Sequence, residues 1–144
     1  MHVLILGATS DIALATARAF AASEGAHLIL AGRDLETLTK YAKDLELRHQ
    51  VTARAVAFDA LDLESHVAFW AALDPTPDVV LMAIGLMTPQ DTAQKDFRLA
   101  KRMLDTNFTG AASILELAAA EFERKGRGSI IGIGAYLQTT IQNS

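Results

Sequence analysis

The sequence contains no cysteine. Disulfides, zinc–thiolate centres and cysteine nucleophiles are therefore excluded. The four histidines, His2, His27, His49 and His66, lack the spacing of a shared metal face. Strand, loop or surface roles are expected for them, and no metal. No basic leader precedes the apolar start "MHVLIL", and Gly7 interrupts it after a few residues. That opening is too short for a signal peptide or a membrane span, so a soluble, cytoplasmic chain is the expectation. Positive charge is also short. A net charge of −4 argues against nucleic acid or an anionic membrane as partner. Lys101, Arg102, Arg124, Lys125 and Arg127 read as solvated helix ends rather than a nucleic-acid patch. No repeat, linker or low-complexity tract divides the 144 residues, so a single domain spanning 1–144 is expected.

What is present is apolar. Hydrophobic residues make up 51% of the chain and charged residues 21%, the balance of a well-buried α/β protein rather than a disordered one. Short aliphatic runs alternate with longer helical patterns. Strands are expected at His2–Leu6, His27–Ala31, Val51–Phe58, in "DVVLMAIG" from Asp78 and in "SIIGIG" from Ser129. Between them, helices are expected at 11–23, 35–47, 63–73, 91–101 and 103–125. The third of these carries Val67, Phe69 and Trp70 as packing groups and ends before Pro75 and Pro77. The continuous apolar run from Asp78 suits a strand covered on both faces. Strand and helix alternating at this spacing imply parallel strands joined by right-handed crossovers. The expected fold is a three-layer, doubly wound α/β sheet of the Rossmann kind, with about five strands in the order 3-2-1-4-5.

In such a sheet a ligand binds beyond the carboxyl ends of the strands, where strand order reverses. The loop "GATSDIA" from Gly7 lies there. Gly7 suits a tight exit at positive φ, and the N–H groups near Ser10 to Ile12 face an anion at a helix start. Thr9 and Ser10 add hydroxyl donors. Asp11 reads as the N-cap, with its carboxylate turned from the phosphate path. A lone glycine before a helix fits an ordinary βα turn equally well.

Taken in order, "GATSDIA", "LAGRD", "FDALD", "DVVLMAIG" and "DTNFTGAASILELAAAEF" resemble the short-chain dehydrogenase/reductase family over essentially the whole chain. The family's Gly-x-x-x-Gly-x-Gly loop falls on Gly7, Asp11 and Ala13, so only the first glycine is kept. Its acidic residue after the third strand, which meets the adenine amino group, falls on Asp59, with Ala60 and Leu61 beside it. Its Asn-Asn-Ala-Gly falls on Met82, Ala83, Ile84 and Gly85, keeping the glycine beside the ribose. Its catalytic helix asparagine falls on Asn107. Gly32 stands where an NAD-selective relative carries Asp; it leaves space for a 2'-phosphate, with Arg33 as partner. The alternative for Arg33 is a solvated side chain paired with Asp34 or Glu36. NADP is the expected cofactor, with NAD less favoured.

The resemblance implies hydride exchange with a carbonyl or alcohol, assisted by a Tyr-x-x-x-Lys pair. No such pair occurs: Tyr136 is followed four residues later by Thr140, and the family's serine region falls on Gly134 and Ala135. A truncated or frameshifted product is the favoured explanation, over a proteolytic fragment or a natural half-fold. The expected function is the cofactor half of an oxidoreductase whose substrate the sequence leaves open. A non-catalytic nucleotide-binding or redox-sensing module is the alternative. Association into a homo-oligomer through the helix spanning 103–122 is expected in either case.

Overall fold

The computed structural model describes residues 1–83 and 96–133. Five parallel strands form one sheet: β1 (His2–Leu6), β2 (His27–Gly32), β3 (Ala53–Ala57), β4 (Val79–Met82) and β5 (Ser129–Gly132), in the order β3-β2-β1-β4-β5. This is the expected order. In register, Leu6 faces Ala31 on one side and Met82 on the other, Gly32 faces Ala57, and Met82 faces Gly132. All five carboxyl ends therefore lie along one edge of the sheet.

Alternation along β1 divides the core. Val3 and Ile5 point to one face, where they meet α1 (Asp11–Glu24) and α2 (Leu35–His49). Leu4 and Leu6 point to the other, where they meet residues of α5 (Ala111–Lys125). Helix α1 presents Ala13, Ala17 and Ala21 at four-residue intervals, all buried. Three methyl groups on one stripe let the helix lie close to the sheet, which brings its amino end beside the exit of β1. Helix α2 buries Leu38, Ala42 and Leu45, and α5 buries Ile114, Ala118 and Phe122.

Several boundaries differ from the sequence expectation. Gln50 ends α2 in a left-handed conformation, and Ala53 N–H donates to Glu46 Oε1 at 3.1 Å. This delays β3 to Ala53 instead of Val51. The single helix expected over 63–73 is a 3₁₀ turn, Leu63–Ser65, followed by a short α3, His66–Ala71. Phe69 and Trp70 pack as expected, whereas Val67 is exposed. The apolar stripe is His66, Phe69, Trp70 and Leu73, spaced i, i+3, i+4, i+7, and Val67 falls off it.

The break expected after Lys101 is absent. Helix α4 (Phe97–Leu104) starts at the cap Asp96, whose side chain accepts from Arg98 N–H. It passes through a π-helical turn, Asp105–Gly110, into α5. The remainder of the helix expected over 91–101 lies outside the described residues. Among the described residues, no helix is long and apolar enough to cross a membrane.

Candidate functional site

The carboxyl edge of the sheet assembles most of the residues singled out above. Gly7 leaves β1 at φ 82°, the positive angle that its lack of a Cβ permits. Its N–H and that of Ala8 both donate to the Ala31 carbonyl, at 2.9 and 3.3 Å. The turn closes where Ser10 N–H donates to Gly7 O at 3.3 Å. Helix α1 then begins.

The cap of α1 is Ser10, not Asp11. Ser10 has extended backbone angles, φ −71° and ψ 149°, and its Oγ accepts from Ala13 N–H at 3.2 Å. Asp11 is the first helical residue and is exposed. The tight turn from Gly7 fixes this one-residue difference, because its hydrogen bond closes on Ser10 and the helix starts directly after. With Ala13 N–H capped and Leu14 N–H bonded to Ser10 O, the N–H groups of Asp11 and Ile12 have no partner among the described residues. N–H groups left open at a helix start are able to donate to an anion. Thr9 is exposed, and Ile12 stands 59% exposed beside them.

At the end of β2, Gly32 has a packing role. A Cβ built there would lie 3.2 Å from Leu38 Cδ1, in tight contact with α2. Arg33 is exposed. Neither acidic neighbour holds it. Asp34 caps α2 by accepting from Thr37 N–H at 3.1 Å and from the Thr37 hydroxyl at 2.7 Å. Those bonds, the hydroxyl's first, hold the Asp34 carboxyl below its ordinary pKa. Glu36 pairs with Lys40 at 3.7 Å. Among the described residues, Arg33 makes no ion pair.

Beyond β3, Phe58 N–H donates to Gly32 O at 2.9 Å, placing the next loop beside the end of β2. Asp59 turns that loop by accepting from Leu61 N–H on Oδ1 at 2.9 Å. Its Oδ2 has no partner among the described residues. Ala60 is buried, and its carbonyl lies where a Cβ on Gly110 would have to go. Only glycine allows the π-helical turn so close to this loop. Asn107 belongs to that turn. Ala83 continues β4, its N–H donating to Leu6 O at 2.8 Å. Gly85 lies outside the described residues, as do Gly134, Ala135 and Tyr136.

One residue of this region escaped the sequence reading. His66, expected in a strand, loop or surface role, is a fully buried core residue at the start of α3. The i, i+3, i+4, i+7 stripe with Phe69, Trp70 and Leu73 was the signal that could have found it. His2 and His27, by contrast, lie with ring centroids 5.0 Å apart at the amino ends of their strands, opposite the site. Burial, then His27 and the terminal ammonium, lower the His2 pKa.

A family model described as short chain dehydrogenase matches residues 1–139. Over 132 residues the chain is 38% identical to "Uncharacterized oxidoreductase in mprA 5'region" of Streptomyces coelicolor, covering 90% of this chain and 52% of that protein. Among solved structures, a short-chain dehydrogenase from Sphingobium yanoikuyae in complex with NADPH is similar at a TM-score of 0.82. Identity there is 26%, over 93% of this chain and 53% of that one. An actinorhodin polyketide ketoreductase with NADPH has a TM-score of 0.79 and 28% identity, over 91% of this chain and 51% of that one. The chain spans about half the length of the curated relatives it matches.

Proposed function

The chain belongs to the short-chain dehydrogenase family, and we propose that it forms the dinucleotide-binding half of an NADP-linked oxidoreductase acting on a carbonyl or alcohol. Arg33 carries the choice of NADP. It is a cation at the end of β2 whose two acidic neighbours are engaged elsewhere, by Thr37 and by Lys40. The two solved relatives with NADPH support the same reading.

The residues fit such a cofactor. Asp11 and Ile12 N–H, aimed outward from α1, receive the pyrophosphate with the help of the helix dipole. Arg33 neutralises the 2'-phosphate, and Asp59 Oδ2 accepts from the adenine amino group. Ala60 lines the adenine side, and Ala83 continues β4 toward the ribose. When bound, the nicotinamide would supply or accept hydride. Asn107, on the helix behind, is the one catalytic position of the family's pattern that these residues carry. Gly32 leaves space for the 2'-phosphate beside Arg33, and its missing side chain also leaves room for Leu38 of α2.

Fluorescence titration tests this. NADPH should bind the chain more tightly than NADH by about tenfold or more, the equivalent of a charge-assisted contact of about 1.5–3 kcal/mol. Arg33→Ala should erase most of that difference while leaving NADH affinity unchanged. Equal curves for both nucleotides in the natural chain would rule out the NADP assignment.

A further inference from the structure

A buried imidazole bonds the main chain of the loop after β3. His66 is the one fully buried ionisable side chain among the described residues. Its Nε2 lies 3.0 Å from the Asp59 carbonyl oxygen, and its Nδ1 lies 2.8 Å from Ser113 Oγ on α5. A carbonyl oxygen can only accept, so Nε2 carries the proton. In the neutral ring Nδ1 accepts, and the Ser113 hydroxyl donates to it. Phe58 stacks on the ring, with centroids 4.9 Å apart and planes 26° apart. Both ring nitrogens are thus committed, one of them to the main chain of the loop.

Phe58 N–H anchors the start of that loop to Gly32 O, and Ala60 is buried against Gly110. Asp62 N–H reaches the same Asp59 carbonyl at 3.2 Å, and Leu61 N–H holds only Oδ1 of the carboxylate. The direction of the Asp59 carboxylate is therefore set by its own main chain, and the main chain is tied to α5 through His66.

We propose that His66 is a positioning residue for the adenine end of the dinucleotide, fixing the Asp59 loop to α5 through its two ring nitrogens. The proposal rests on the dinucleotide reading above. His66 touches no cofactor itself; it acts through Asp59 and through the packing of Ala60 against Gly110. Substrate and 2'-phosphate recognition lie outside its reach.

Two amide substitutions separate the two bonds. In His66→Gln the amide nitrogen reaches as far as Nε2 and can still donate to Asp59 O. In His66→Asn it reaches only as far as Nδ1, which keeps the Ser113 contact and loses the loop. Binding of NADPH, NADH and adenosine 2',5'-bisphosphate would be titrated for each variant. His66→Asn should weaken all three by a common factor of about five to ten, the scale of one hydrogen bond. His66→Gln keeps the Asp59 bond and loses the Ser113 one, so it should weaken all three by a smaller factor of about two, as Ser113→Ala should. The NADPH-to-NADH ratio should stay as in the natural chain, since both share the adenine. Amide exchange at Ala60 to Asp62 should quicken in the Asn variant alone. Ser113→Ala loosens the ring from its other side and should give a smaller, equally uniform weakening; it serves should His66→Asn not fold.

Equal binding by the natural, Gln and Asn chains overturns the proposal alone. So does a loss on NADPH that spares the adenosine bisphosphate. Failure of the natural chain to bind any of the three overturns the dinucleotide reading, and the proposal with it.

Discussion

Ser10 and Asp11 are adjacent at the mouth of the loop and act in opposite senses. Ser10 satisfies an otherwise unpaired N–H of α1, so Ser10→Ala should cost about 1 kcal/mol in urea unfolding. Asp11 places a carboxylate in the first turn, where the helix dipole favours it but an incoming pyrophosphate would be repelled. Asp11→Asn should therefore lower stability by about 0.3–1 kcal/mol. The same change should tighten NADPH binding. If affinity falls instead, the carboxylate contributes to the site rather than opposing it. The two variants should separate cleanly, because one group is a cap and the other a charge.

At the scale of elements, the contact between the β3 loop and the π-helical turn is the narrowest in the site. Gly110 lies against the Ala60 carbonyl with no room for a methyl group, and backbone is the atom least able to give way. Gly110→Ala should destabilise by about 1–3 kcal/mol, read by thermal or urea unfolding. It should also weaken adenine-nucleotide binding, since the loop and the turn must move apart. Gly132→Ala is the control. A Cβ there meets nothing within 4 Å, and unfolding should be unchanged within about 0.5 kcal/mol. Equal behaviour of the two variants would mean that the close approach is not maintained in solution.

At the scale of the whole molecule, two apolar surfaces stand out among the described residues. Among the described residues, strand β5 pairs with β4 alone and is exposed along its length, with Ile130 at 40% and Ile131 at 41% exposure. On the helical run, Phe97, Leu104 and Phe108 are exposed at near-heptad spacing. Open strand edges and apolar faces drive association. We expect the chain to sediment as a dimer or larger at micromolar concentration. The double change Leu104→Glu and Phe108→Glu should shift it toward monomer if the helical face is the contact, whereas Ile131→Lys should do so if the edge strand is. A natural chain that sediments as a monomer would remove this expectation.

The order of strands was legible in the sequence because central parallel strands, covered on both faces, read as continuous aliphatic runs, and right-handed crossovers leave few ways to arrange them. Gly7, "AGRD" and Asp59 were legible for a related reason: each stands at a strand end, and strand ends share one edge. Local periodicity could not settle which residue caps α1. That depended on where the turn from Gly7 closed its hydrogen bond, a difference of one residue. Nor could it show that Gly32 lies against Leu38 of α2, or that His66, bonded to Asp59, reaches Ser113 47 positions along the chain. Those are contacts between elements, and the partner of a side chain across a layer is chosen by packing distance. Pattern along the chain decides which face a residue presents; only the assembled layers decide what that face meets.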